Sequence, residues 1–125
     1  MRPLFHEPRD ARHRYDGRVR LVVQLSPWRL VGSLKGRDIS ASGLGAYLPV
    51  KNNAAGAALE ALLALGDPYD VQIEHDHDHL PAPLARARLV RRRDVPGGVE
   101  LGFSFEDPDP DLLSLLHELG EGTPA

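Results

Sequence analysis

The chain has 125 residues, no cysteine, 42% hydrophobic residues and a formal net charge of -3. That length supports one domain with an ordinary core, and the missing cysteines exclude a disulfide framework, a zinc ribbon and a thiol nucleophile. The longest apolar stretch, residues 54–65, is interrupted by Gly56 and Glu60 and is too short to span a bilayer. The first ten residues carry no apolar core of the signal-peptide kind, so a cytoplasmic location with no membrane partner is expected.

Residues 18–25 alternate, with Val19, Leu21, Val23 and Leu25 on one face and Arg18, Arg20 and Gln24 on the other. That period of two predicts a half-buried strand. Ser26-Pro27 punctuates it, and Trp28 to about Ile39 reads as a hairpin-connected second strand. Leu44 to Val50 forms a short third strand. Asn52-Asn53 then precede an Ala- and Leu-rich helix over 54–65, with Asn53 as N-cap, Gly66 just past the end, and Leu59, Leu62 and Leu63 on its buried face. Residues 70–75 are a strand and 75–83 a polar loop. Residues 84–94 alternate again, Pro96-Gly97-Gly98 turns, and 99–105 is a further strand. A last helix over 111–119 presents Leu112, Leu115, Leu116 and Leu119. Six short strands, mostly in hairpins, with helices appended, predict a mainly β fold: a small antiparallel barrel.

The charge is unevenly divided. Residues 1–37 carry nine basic and three acidic side chains, residues 38–84 one and seven, and residues 85–125 five and eight. Thirteen of the fifteen basic residues are Arg, whose planar fork grips phosphate in two places and stacks on rings. An Arg-rich end on a mildly acidic protein points to a local anionic site, while on charge alone a solvated basic tail is the better reading. A duplex-binding protein is more often basic overall, so no nucleic acid polymer is expected as partner.

Two constellations carry chemistry. Arg14-Tyr15-Asp16-Gly17-Arg18 precedes and opens the first strand, and a turn through Asp16-Gly17 could bring the two Arg forks together, with Arg9 and Arg12 upstream. Asp38-Ile39-Ser40-Ala41-Ser42-Gly43 follows the second strand, offering a carboxylate, a hydroxyl and a glycine that permits close approach. Singly, each is a common surface or turn pattern. In this order, an RxxxR, a strand hairpin and a DxSxxG about twenty residues on, the pair resembles the PilZ domain family. Ala85 to Arg92 is similar to that family's arginine-bearing later strand, and Glu100 to Phe105 to its closing G-x-x-F-type strand.

The resemblance covers roughly Arg9 to Leu119. It implies a six-stranded antiparallel barrel with a C-terminal helix that binds the bacterial second messenger cyclic diguanylate as ligand, with no cofactor and no metal. Carried over by position, Arg14 and Arg18 hold phosphates and guanine edges or faces, Asp38 accepts from guanine N–H groups, and Ser40 and Gly43 line the pocket. Arg12 and His13 are candidates for additional contacts, His13 because the residue before the first motif arginine bears on whether one messenger or a stacked pair binds. A flexible basic tail over 1–13, one domain over 14–120 and a short disordered tail over 121–125 are expected, the tail and arginine segment ordering when ligand binds. The helix between strands three and four is longer than the family's usual connection there.

Other features have blander readings. His75, His77 and His79 alternate on a proline-bounded loop, which is a hydrophilic connection rather than a metal site. Arg91-Arg92-Arg93 reads as a solvated strand end, with ligand contact by Arg88 or Arg91 as the alternative. Trp28 and Tyr15 read as core or hairpin residues, Tyr15 the more exposed. No nucleophile–base pair or P-loop is found, so no enzyme is expected. The expectation is a stand-alone receptor and adaptor that signals in trans to an unidentified protein partner. The alternative is a PilZ-like protein interaction module that does not bind the nucleotide.

Overall fold

A computed structural model describes residues 12–76, 80–107 and 110–122. The elements in chain order are β1 (His13–Arg14), β2 (Arg18–Leu25), β3 (Trp28–Ile39), β4 (Gly43–Pro49), α1 (Ala54–Leu62), β5 (Pro68–Ile73), β6 (Leu84–Val95), β7 (Gly98–Phe105) and α2 (Pro110–Gly122). Hydrogen bonding runs β3–β2–β5–β6–β7–β4 and returns from β4 to β3, all antiparallel. The six strands thus close a barrel and leave no free sheet edge between them. β1 is an extra two-residue strand that continues along the β2 edge of β3, His13 opposite Ile39 and Arg14 opposite Asp38.

Period-two alternation decides which side chains fill the barrel. Val19, Leu21 and Val23 of β2, Leu44, Ala46 and Leu48 of β4, Ala85, Ala87 and Leu89 of β6, and Val99, Leu101, Phe103 and Phe105 of β7 all point inward and are buried. Leu25, in phase with the inward set of β2, is 41% exposed because the hairpin runs past the end of the barrel. α1 covers that end: Leu59 is fully buried and packs where Gly32 of β3 has no side chain, a Cβ there falling 2.3 Å from Leu59 Cδ2. α2 packs against β1 and β6, so the two helices serve opposite ends of β3. Leu112 and Leu115 are its buried anchors.

α1 begins as expected, with Asn53 Oδ1 accepting from Gly56 N at 2.8 Å. It stops at Leu62, three residues short of the predicted end. Leu63 turns extended and buries its side chain, and the next residues bond to the barrel instead: Gly66 N donates to Leu89 O at 2.7 Å, and Leu89 N to Asp67 O at 3.0 Å. Leu62, assigned to the buried face, is therefore 38% exposed.

The two aromatic expectations are also reversed in order. Tyr15 is 5% exposed and Trp28 is 76% exposed. Tyr15 fills a space that two glycines leave open: a Cβ on Gly17 or Gly36 would lie within 2.5 Å of its ring or hydroxyl. Trp28 sits at the tip of the β2–β3 hairpin, beyond the core. Among the described residues no helix is long and apolar enough to cross a membrane.

Candidate functional site

Two register slips build the site. In β3 the pairing with β4 shifts between Gly36 and Asp38, so Arg37 and Asp38 together oppose Gly45. In β6 the pairing with β7 shifts between Leu89 and Arg91, so Val90 and Arg91 oppose Gly102. Each slip is a β-bulge, which inserts one residue and re-aims the side chains beside it. Between the bulged strands, Gly45 of β4 pairs directly with Gly102 of β7. The result is one transverse row on the outer face: Arg14, Asp38, Gly45, Gly102 and Arg91, one residue from each of five strands.

The row has a flat middle. The Asp38 carboxylate lies over Gly45, where a Cβ would sit 3.0 Å from both of its oxygens. The Arg91 guanidinium lies over Gly102, where a Cβ would be 3.1 Å away. A cavity of about 410 Å³ opens over this strip, lined by Arg37, Asp38, Gly45, Arg91, Arg93 and Glu100 among others. Arg37 also stacks on the Tyr47 ring, its Cζ 5.2 Å from the ring centre. Arg93 Nε donates to Glu100 at 3.1 Å. That bond holds the Glu100 carboxyl below its usual 4.5; partial burial opposes it, and the charges of Arg93, Arg37 and Arg91 add to it. The carboxyl therefore reports a positive field converging on the cavity.

The expected site residues fall into three groups. Arg12 Nη1 donates to Asp38 Oδ1 at 2.7 Å, and Arg14 stands opposite Asp38 in register, but its Nε turns to Asp16 at 3.3 Å. His13, between them, faces Ile39. Arg18 is not brought to Asp38; it sits on the outer face of β2, 4.0 Å from Glu74, which also takes Arg20 Nε at 2.5 Å. Ser40 and Gly43 do not line the cavity. Ser40 is fully buried, its N donating to Gly43 O at 2.9 Å and its Oγ accepting from Ser42 N at 3.3 Å, which fixes the turn. At Gly43 a Cβ would lie 2.3 Å from Phe103 O, so this glycine is required by β7.

The three consecutive arginines of β6 are all exposed, as expected of a solvated strand end, but they are aimed differently. The bulge puts Arg91 and Arg93 on the outer face at the cavity, while Arg92, opposite Leu101, reaches Glu60 of α1. Arg88 is held by Glu106, with Nη2 at 2.6 Å, and by Gly66 O. Arg37 and Gly45 were not singled out from sequence as site residues, while Arg93 was named only within the run Arg91-Arg92-Arg93 and Glu100 only as the start of the closing strand. Among the described residues no group of three His, Asp or Glu could hold a metal. His75 Nε2 contacts Pro81 O at 2.9 Å, whereas His77 and His79 lie outside the described residues, as do Arg9 and most of the expected 1–13 tail.

The sequence matches the PilZ domain model over residues 7–121. No curated protein matches it. Among solved structures, the chain is similar to the Bacillus subtilis inhibitor of motility (MotI/DgrA), at 15% identity and TM-score 0.62, over 93% of this chain and 51% of that one. It is similar to the PilZ domain of Escherichia coli YcgR solved with c-di-GMP, at 16% identity and TM-score 0.62, over 91% and 88%. A longer YcgR chain in complex with c-di-GMP aligns at 16% identity and TM-score 0.64, over 92% and 46%. The chain thus spans about half the length of the Bacillus protein and of the longer YcgR chain. At these identities the structures share the fold, and the family match covers nearly all of the sequence: the chain belongs to the PilZ domain family.

Proposed function

We propose that this domain is a receptor for cyclic diguanylate and that the ligand lies on the outer face of the barrel, over Gly45 and Gly102. The transverse row carries the reading. A purine needs a flat, side-chain-free surface and an acceptor for its N–H edge; two phosphates need guanidinium forks. The strip offers all three, with Asp38 and Arg37 on the β3 bank and Arg91 and Arg93 on the β6 bank. Arg14 and Arg18 supply the remaining forks once they leave Asp16 and Glu74, both exposed pairs that bind weakly. Ser40 and Gly43 act through the turn that presents Asp38, rather than by touching ligand. The two E. coli structures solved with c-di-GMP support the ligand class.

Signalling follows from the place of the arginine motif. Ligand gripped by Arg14 and Arg18 joins the segment before β2 to the outer strip, and the surface so formed meets a protein partner in trans. One observation favours the rival reading, an interaction module that binds no nucleotide: the motif arginines and Asp38 are already ion-paired within the chain.

Calorimetry with cyclic diguanylate separates the two. Wild type is expected to bind at low micromolar concentration or tighter, and the Arg14→Ala, Arg18→Ala double variant to lose binding. Arg91→Ala alone removes one charge-assisted contact, which costs about 1.5–3 kcal/mol. Absence of heat from wild type at high ligand concentration rejects the receptor and leaves the interaction module.

A further inference from the structure

The Arg12–Asp38 pair has a chemical likeness to the contact proposed for the ligand. Guanine offers a carboxylate two N–H groups across one N–C–N unit. A guanidinium offers the same fork. Arg12 reaches its position because β1 holds Arg14 opposite Asp38, and a side chain two residues away along the strand is the diagonal neighbour, within reach of a long side chain. Arg14 leaves the carboxylate to Arg12 by turning to Asp16. Asp38 Oδ1 is thereby occupied at 2.7 Å, and a guanine edge, which needs both oxygens, meets one already taken.

We propose that Arg12 is an internal competitor for the base-reading carboxylate: it stands in for the guanine edge in the free protein and leaves when the ligand arrives, and so sets the affinity threshold of the receptor. The inference rests on the receptor reading above and deepens it. It reverses the sign expected if Arg12 were one more cation gripping the ligand.

Release leaves the motif in place. Tyr15, three residues on, is buried, and its N donates to Arg37 O at 3.0 Å, so the chain stays anchored to β3 when the Arg12 side chain swings out. The side chains of Arg12 and Asp38 are 47% and 44% exposed, which makes the pair a weak one. Its removal is therefore worth a shift of about two- to fivefold in affinity.

The test compares wild type with Arg12→Ala by calorimetry against cyclic diguanylate, with circular dichroism to show that both are folded. Arg12 is exposed, so the variant removes no core contact. Tighter binding by Arg12→Ala, by about two- to fivefold, supports the competitor. Equal or weaker binding by the variant, with wild type still binding, overturns it and leaves the receptor reading standing. Binding by neither protein overturns the receptor reading and the competitor with it. A second measurement acts on wild type alone: the Arg12 side-chain N–H resonances must lose their pairing with Asp38 at ligand saturation, and their persistence refutes displacement.

Discussion

Gly43 and Gly45 are two residues apart on β4, and their substitution by Ala is expected to produce opposite phenotypes. At Gly45 the added Cβ lies 3.0 Å from both Asp38 carboxylate oxygens and 3.2 Å from Cγ, contacts that a side chain relieves by moving a few tenths of an ångström. The fold loses little, and replacing a glycine in an extended strand lowers the entropy of the unfolded chain, by about 0.4–1 kcal/mol in favour of folding. The ligand contact bears the cost instead. Moving Asp38 off the strip lengthens a charge-assisted bond of about 1.5–3 kcal/mol, so affinity for cyclic diguanylate falls about tenfold or more. At Gly43 the Cβ meets a backbone carbonyl, Phe103 O, at 2.3 Å, and neither strand can yield without breaking the β4–β7 ladder. Gly43→Ala is expected to destabilise by about 1–3 kcal/mol, the range for overpacking. Thermal melts and calorimetry on both variants check the pair. Wild-type affinity in a folded Gly45→Ala would refute the assignment of Asp38 to the ligand strip, and an undiminished melting temperature in Gly43→Ala would refute the role given to Phe103.

Two further outcomes are expected. The Glu100 carboxyl titrates below its ordinary 4.5, so its pairing with Arg93 contributes to stability above that pH and is lost as pH falls through the lowered value; a carboxyl NMR titration should show the pKa rising in Arg93→Gln, and no change would reject the pairing. Leu59→Ala should cost about 2–5 kcal/mol in chemical denaturation, because Leu59 is fully buried against β3; a cost under about 0.5 kcal/mol would mean that α1 merely lies on the surface.

The strands and the main anchors were legible because they follow from alternation alone. Val19 to Val23 and Leu44 to Leu48 place their apolar residues by parity, and Asn53 announces the start of α1 by its type and position. The site was legible only as a set of residue types. Asp38 and Arg14 were named as candidates, but their row with Gly45, Gly102 and Arg91 depends on which strand lies beside which, a long-range fact with no local signature. The bulges at Arg37 and Val90 are equally silent in sequence, and they decide that Arg91 and Arg93 face the cavity while Arg92 faces α1. Tyr15 was misjudged for a related reason: its neighbours in the chain are charged, but the space it fills is created by Gly36, twenty-one residues away.

Because the strands alternate strictly except at the two bulges, inheritance of function and inheritance of fold are written on opposite parities of the same segments. Along β4 and β7 a substitution at Leu44, Ala46, Leu101 or Phe103 acts on the core, whereas the adjacent position, Gly45, Glu100 or Gly102, acts on the outer strip. A domain of this design can alter its outer strip at Gly45, Glu100 or Gly102 while the other half of the strand keeps the barrel; Gly43, on the outer parity but pressed against Phe103 O, is the exception. The bulges are where that independence ends: an insertion or deletion at Arg37 or Val90 would exchange the two registers at once.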